Sequence, residues 1–84
     1  MRHAGPAALD ALEPLLAQIR LAAGLKEKSR GVFYRGSRAF LHFHEDPAGL
    51  FADVRAADGK GFDRIRVDAP DGVSALLARV RQGT

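Results

Sequence analysis

The chain has 84 residues, a formal net charge of +3 and no cysteine. A chain of this length forms a single domain with a thin core, because it buries only about 60–65% of the surface that its unfolded form exposes. The lack of cysteine excludes a disulfide framework, a thiolate metal site and a thiol nucleophile. Residues 1–84 are therefore predicted to form one domain, and we expect no cofactor.

The N-terminal part of the chain lacks the apolar run of a signal peptide or a membrane span. Residues 9–23 are interrupted by Asp10, Glu13 and Arg20, whereas a membrane span needs about 20 consecutive apolar residues. We therefore expect a cytoplasmic protein that does not bind membranes. Residues 1–8 are predicted to be a flexible end.

The first predicted element is a helix over residues 9–23. Its apolar residues recur at helical spacing, namely Leu9, Leu12, Leu16, Ile19 and Ala23. Asp10 and Glu13 have the spacing of a capping box. Pro14 fits the first turn, or it marks the helix start after a short lead-in. Gly24 is expected to end the helix.

A basic link over residues 26–31 is predicted to follow, and then side chains alternate from Val32 to Val67 with the period of β-strands. One set is mostly apolar and is predicted to face the core: Val32, Tyr34, Ala39, Leu41, Phe43, Leu50, Ala52, Val54, Ile65 and Val67. The other set is aromatic and charged and is predicted to form an open face: Phe33, Arg35, Arg38, Phe40, His42, His44, Phe51, Asp53, Arg55, Phe62, Arg64 and Arg66.

Three turn motifs divide this stretch into four strands. Gly36-Ser37 favours a type II′ turn, residues 46–49 (Asp-Pro-Ala-Gly) a type I turn, and Asp58-Gly59 a type I′ turn. Because a turn sets the register of its strands, these motifs predict which residues face each other. The predicted pairs are Arg35–Arg38, Tyr34–Ala39, Phe33–Phe40, Val32–Leu41, His44–Phe51, Phe43–Ala52, His42–Asp53, Leu41–Val54, Arg55–Phe62, Val54–Asp63, Asp53–Arg64, Ala52–Ile65 and Phe51–Arg66.

The last predicted element is a helix whose apolar stripe comprises Val73, Leu76, Leu77 and Val80. Asp68 is its predicted N-cap, with Pro70 and Asp71 in the first turn. The predicted fold class is α+β: a two-layer sandwich of a four-stranded antiparallel meander, with an N-terminal and a C-terminal helix on one face, in the order α-β-β-β-β-α.

The open face suggests a binding module, and our first hypothesis is nucleic-acid binding. Sheets that present aromatic and cationic side chains bind bases by stacking and phosphates by charge. The stacking candidates are Phe33, Phe40, Phe51 and Phe62. The phosphate candidates are Arg35, Arg38, Arg55, Arg64 and Arg66. The main alternative is that the same face forms a protein interface, most simply a homodimer, because exposed apolar patches commonly mark such contacts.

A metal or catalytic site is the third alternative. His42 and His44 are two residues apart, so their side chains leave a strand on the same side. Such a pair can ligate a metal ion, with Asp53 as a third ligand or as the residue that orients an imidazole. No convincing nucleophile accompanies the histidines, since Ser37 lies in a turn and Ser74 on the last helix. This composition favours a binding module over an enzyme.

The segments Lys26 to Arg35, Ser37 to Asp46 and Gly49 to Arg55 together resemble a group of short uncharacterised bacterial proteins. That likeness covers most of the chain from Leu9 onward and implies no site, because the group has no assigned activity. The order of helix, hairpin-rich sheet and C-terminal helix is similar to the YjbR/MmcQ-like family around Phe33 to Val54. That family is described as having a double-wing fold and is suspected of DNA binding, so the resemblance implies a DNA partner by analogy of fold.

Overall fold

The structure is a computed structural model and describes residues 1–82. It confirms the α+β class, with three helices and a six-stranded antiparallel sheet. The elements are β1 (Arg2–His3), α1 (Pro6–Ala11), α2 (Glu13–Ile19), β2 (Leu25–Ser29), β3 (Val32–Arg35), β4 (Arg38–Asp46), β5 (Gly49–Arg55), β6 (Phe62–Arg66) and α3 (Pro70–Gln82). Within the described range, no helix is long and apolar enough to cross a membrane.

The N-terminal region differs from the prediction of one helix over residues 9–23. Residues 1–8 contain β1, which pairs with β4, and the first part of α1. The helix is broken at Leu12, whose ψ of 0° ends α1, and Pro14 then lies in the first turn of α2. A continuous helix is disfavoured there because a proline ring clashes with the carbonyl four residues earlier.

The predicted caps of that helix are also wrong. No capping box forms, because the N-cap residue of α2 is Leu12 and no side chain caps either short helix. Asp10 and Glu13 instead both accept hydrogen bonds from Arg30, at 2.7 and 2.9 Å. The helical region ends at Ile19, so Gly24 lies in the following turn rather than at a helix end.

The predicted basic link forms strand β2 instead of a loop. It pairs with β3 and makes one edge of the sheet, whose order is β2-β3-β4-β5-β6. Arg30 and Gly31 form the connecting turn, where the backbone N–H of Gly31 donates to Glu27 at 2.9 Å. The prediction failed because a run of charged residues lacks the apolar alternation by which strands are recognised.

The register of β4, β5 and β6 is confirmed pair by pair. His42 lies opposite Asp53, and Asp53 lies opposite Arg64, so all three lie in one line across the sheet. The type I′ turn is wrong, however, because only glycines have positive φ in the described chain and Asp58 therefore lacks the required conformation. The β5–β6 turn is a wider loop closed by the N–H of Ala56 donating to the Gly61 carbonyl.

Strand β3 has a register that the turn alone did not reveal. The pairs next to the turn are as predicted, and Gly36 has the positive φ of +63° that a type II′ turn needs. A bulge then places Phe33 opposite Leu41 rather than opposite Phe40. Because a one-residue shift exchanges the two faces of a strand, Phe33 points into the core and is only 1% exposed.

The core lies between the three helices and one face of the sheet. Its fully buried side chains include Leu16, Ile19, Leu41, Val54 and Leu76. Helix α3 begins one residue later than predicted: the N–H of Val73 donates to the Ala69 carbonyl, so Asp68 is not its N-cap. This arrangement leaves the opposite sheet face and one end of the sheet available for function.

Candidate functional site

The twelve residues predicted to share the open face fall into three groups. Phe33 is buried in the core and is not a surface residue. Four residues line a pocket at the end of the sheet: Arg35, Arg38, Phe40 and Arg55. The remaining seven lie on the strands around the centre of the open face: His42, His44, Phe51, Asp53, Phe62, Arg64 and Arg66.

The pocket, which we call the arginine pocket, lies where the β3–β4 turn, the β5–β6 loop and the last turn of α3 meet. It has a volume of about 370 Å³ and is lined by four arginines: Arg35, Arg38, Arg55 and Arg79. Within the described chain, none of the residues lining it is an aspartate or a glutamate. The sheet and helix therefore concentrate positive charge in one concave place.

Hydrogen bonds to backbone carbonyls position three of these guanidinium groups without neutralising them. Arg38 and Arg55 both donate to the carbonyl of Gly59, at 2.9 and 3.1 Å. Arg55 also donates to the carbonyl of Ala39 at 2.7 Å, and Arg79 to that of Arg55 at 2.8 Å. Carbonyl groups are uncharged, so these bonds orient the arginines while their net charge remains.

Among residues 1–82, the carboxylate of Asp63 contacts this group from outside the pocket. Asp63 is 3.0 Å from Arg79, and its side chain is 55% exposed. An ion pair that open to water is strongly screened. This ion pair reduces the positive charge at Arg79, whereas Arg38 and Arg55 donate to uncharged backbone carbonyls.

Two aromatic rings accompany the arginines. The guanidinium of Arg35 lies 4.5 Å from the centre of the Phe40 ring, and that of Arg55 lies 4.8 Å from the centre of the Phe62 ring. Both are cation–π contacts. Phe62 remains 39% exposed, so Arg55 connects the pocket to an accessible aromatic ring on the open face.

The centre of the open face is organised by Asp53, which is only 7% exposed. Arg64 donates two hydrogen bonds to its carboxylate, both of 2.8 Å. These bonds lower the pKa of Asp53 more than burial raises it. Burial disfavours the charged form of an imidazole and therefore lowers the pKa of His42 and of His44. The negative charge of Asp53 raises both pKa values, but by less than burial lowers them.

The two arginines at the centre of the open face pair with carboxylates that are less exposed than Asp63: the Asp53 side chain is 10% exposed and that of Asp68 28%. Arg64 is bound to Asp53, as described above. Arg66 lies 2.6 Å from Asp68 and also donates to the carbonyl of Ala48, while its guanidinium lies 5.5 Å from the centre of the Phe51 ring. Charge neutralisation makes these two arginines poorer phosphate ligands than Arg38 and Arg55, which donate to uncharged backbone carbonyls.

Two residues of these sites were missed from the sequence. Arg79 was not among the predicted site residues, and His3 lay in the segment predicted to be flexible. In the structure Arg79 lines the pocket, and the His3 ring is 4.7 Å from that of His44. No local motif signals either contact, because each joins segments far apart in the chain.

Comparison with models of protein families, with curated proteins and with solved structures finds no match for this chain. Function is therefore inferred from the geometry of the sites.

Proposed function

We propose that this protein binds single-stranded nucleic acid and holds its phosphates in the arginine pocket. The observation that carries the proposal is a pocket with four arginines and no carboxylate among its lining residues in the described chain. Phosphate groups carry the complementary charge and accept the planar hydrogen bonds of guanidinium groups. A pocket of this kind attracts polyanions by charge and binds individual phosphates by hydrogen bonding.

The aromatic residues support a single strand rather than a duplex. The bases of a single strand are free to stack on aromatic side chains, whereas those of a duplex are stacked on each other. Phe62 is exposed next to Arg55. A phosphate bound by Arg55 would place the neighbouring base near this ring.

The structure changes the residues on which the proposal depends. Of the four phenylalanines predicted to stack, Phe33 is buried and Phe40 packs partly against the core. The stacking surface is therefore reduced to Phe62 and the partly buried Phe51. The phosphate ligands shift from the open face to the pocket, with Arg79 added to Arg35, Arg38 and Arg55.

The test is fluorescence anisotropy with a labelled oligothymidine of about 15 nucleotides, a length that spans the sites of known single-strand modules. We expect binding that weakens as salt increases, because bound phosphates release counterions. Arg38→Ala should reduce the affinity about tenfold. It should also reduce the slope of log K against log salt by about 0.7 for each phosphate that the variant no longer binds.

Arg2→Ala is the matched control. It removes the same charge, but its side chain is 80% exposed and lies outside the pocket. An equal loss of affinity in Arg2→Ala and Arg38→Ala would show that only overall charge matters. If neither DNA nor RNA binds the wild-type protein at low salt, the proposal is wrong, and a doubled mass in light scattering would instead support the homodimer alternative.

A further inference from the structure

All three histidines of the chain converge on the open face. The sequence contains His3, His42 and His44 and no other histidine. The ring of His44 lies 4.7 Å from that of His3 and 4.8 Å from that of His42, and the rings of His3 and His42 are 5.7 Å apart. Strand β1 creates this cluster by pairing His3 opposite His44.

Asp53 completes the group with an oxygen ligand. Its Oδ2 lies 3.6 Å from His42 Nε2 and 4.0 Å from His44 Nδ1. The potential ligand atoms of these three residues all lie within 4.8 Å of one another. In a tetrahedral zinc site the ligand atoms are roughly 3.4 Å apart, so shifts of about 1 Å would bring them to bonding positions.

One ring nitrogen of this cluster is buried without a partner. His44 Nε2 makes no hydrogen bond to any described residue. A buried polar atom without a partner needs an explanation, and an imidazole that turns to bind a metal provides one.

Arg64 is compatible with this arrangement even though it binds the same carboxylate. Each carboxylate oxygen has two lone pairs, so Asp53 Oδ2 can accept from Arg64 and still donate a lone pair to a metal. Arg64 then fixes the orientation of the carboxylate, as hydrogen-bond partners of metal ligands commonly do. Its positive charge weakens cation binding, but the Arg64 side chain is 48% exposed and therefore screened.

We propose that His3, His42, His44 and Asp53 form a site for a divalent transition-metal ion of the zinc class. Imidazole ligands suit zinc, copper, nickel and cobalt, whereas calcium and magnesium prefer oxygen ligands. Because His3 belongs to β1 and the other ligands to β4 and β5, the metal would also fasten the N-terminal strand to the sheet. This site does not depend on the arginine pocket, so each proposal can fail without the other.

The test is a calorimetric titration of the protein, without any affinity tag that contains histidine, with Zn²⁺ near pH 7.5. We expect one zinc per chain and a rise in Tm of about 15 °C at a free zinc concentration about one hundred times Kd. His44→Ala and His42→Ala should each weaken zinc binding by about a hundredfold. Addition of Co²⁺ should produce the visible absorption of a tetrahedral cobalt site, which reports coordination rather than stability.

His3→Ala and Arg2→Ala separate ligation from folding, since both residues lie on the exposed strand β1. We expect His3→Ala to weaken zinc binding about tenfold, while Arg2→Ala, a change at the neighbouring position, leaves it unchanged. Circular dichroism of each metal-free variant checks that it is folded. The proposal is overturned if the wild-type protein binds no zinc at about 1 mM, or if folded His42→Ala and His44→Ala variants bind zinc as tightly as the wild type.

Discussion

The buried position of Phe33 makes a quantitative prediction that distinguishes the observed register of β3 from the one expected from its turn. In the structure Phe33 is 1% exposed and Phe62 is 39% exposed. The expected register would instead place both rings on the open face. Replacing each by alanine therefore compares a core residue with a surface residue of the same type.

We expect Phe33→Ala to lower the free energy of unfolding by about 3–5 kcal/mol, because it removes a buried ring and leaves a cavity. Phe62→Ala should cost about 1 kcal/mol, since much of its ring already contacts water. A domain of this length has a total stability of about 4–13 kcal/mol, so Phe33→Ala removes a large part of it.

Urea denaturation followed by circular dichroism measures the difference. With a slope of about 1 kcal/mol/M for a small domain, the midpoint of Phe33→Ala should lie about 3–5 M below that of the wild type, and that of Phe62→Ala about 1 M below. Phe33→Leu, which we expect to keep most of the buried volume, provides a folded variant if the alanine variant is unfolded in water. Equal, small losses for Phe33→Ala and Phe62→Ala would refute the bulge and restore the predicted register.

Three further predictions concern other parts of the structure. Gly72→Ala should strongly lower Tm, because the new Cβ would collide with the Arg66 carbonyl, whereas Ser74→Ala in the same helix should have little effect. The free energy of unfolding should fall as pH drops below the unfolded histidine pKa of 6.5. The reason is that the folded state lowers the pKa of His42 and His44, so the unfolded chain binds more protons in this range. If the His42→Gln, His44→Gln double variant lost as much free energy of unfolding over the same fall in pH, this prediction would be contradicted. Light scattering should give the mass of one chain, because the described surface exposes few large apolar side chains, and a doubled mass would contradict that reasoning.

The sequence predicted the register of the hairpins β4–β5 and β5–β6 well because apolar and polar side chains alternate along all three strands. The line His42–Asp53–Arg64 across the sheet followed directly from that register. For β5–β6 the register was right although the turn type was wrong. An antiparallel pair is constrained by side-chain alternation as well as by the turn, so one incorrect detail did not shift the strands.

The predictions were less successful where contacts join distant segments. Strand β2 is too charged to be recognised, and β1 has only two residues; both exist because neighbouring strands provide backbone partners. The convergence of His3 on His44 and of Arg79 on Arg55 likewise depends on long-range packing. Sequence periodicity contains no information about such contacts.

The sequence by itself determined the α+β class, the last helix and the pairing of β4, β5 and β6, because apolar periodicity and turn chemistry act over a few residues. Only the tertiary structure decided how the open face is divided. The bulge at Phe40 of β4 shifted the pairing of Phe33 and left its ring in the core. The β3–β4 turn and the β5–β6 loop meet the last turn of α3, which brings the pocket arginines together. The pairing of β1 with β4 brings His3 to the other two histidines. Side-chain alternation places the aromatic and charged residues on one face of the sheet. Packing between distant segments then divides these residues between two candidate sites with different chemistry.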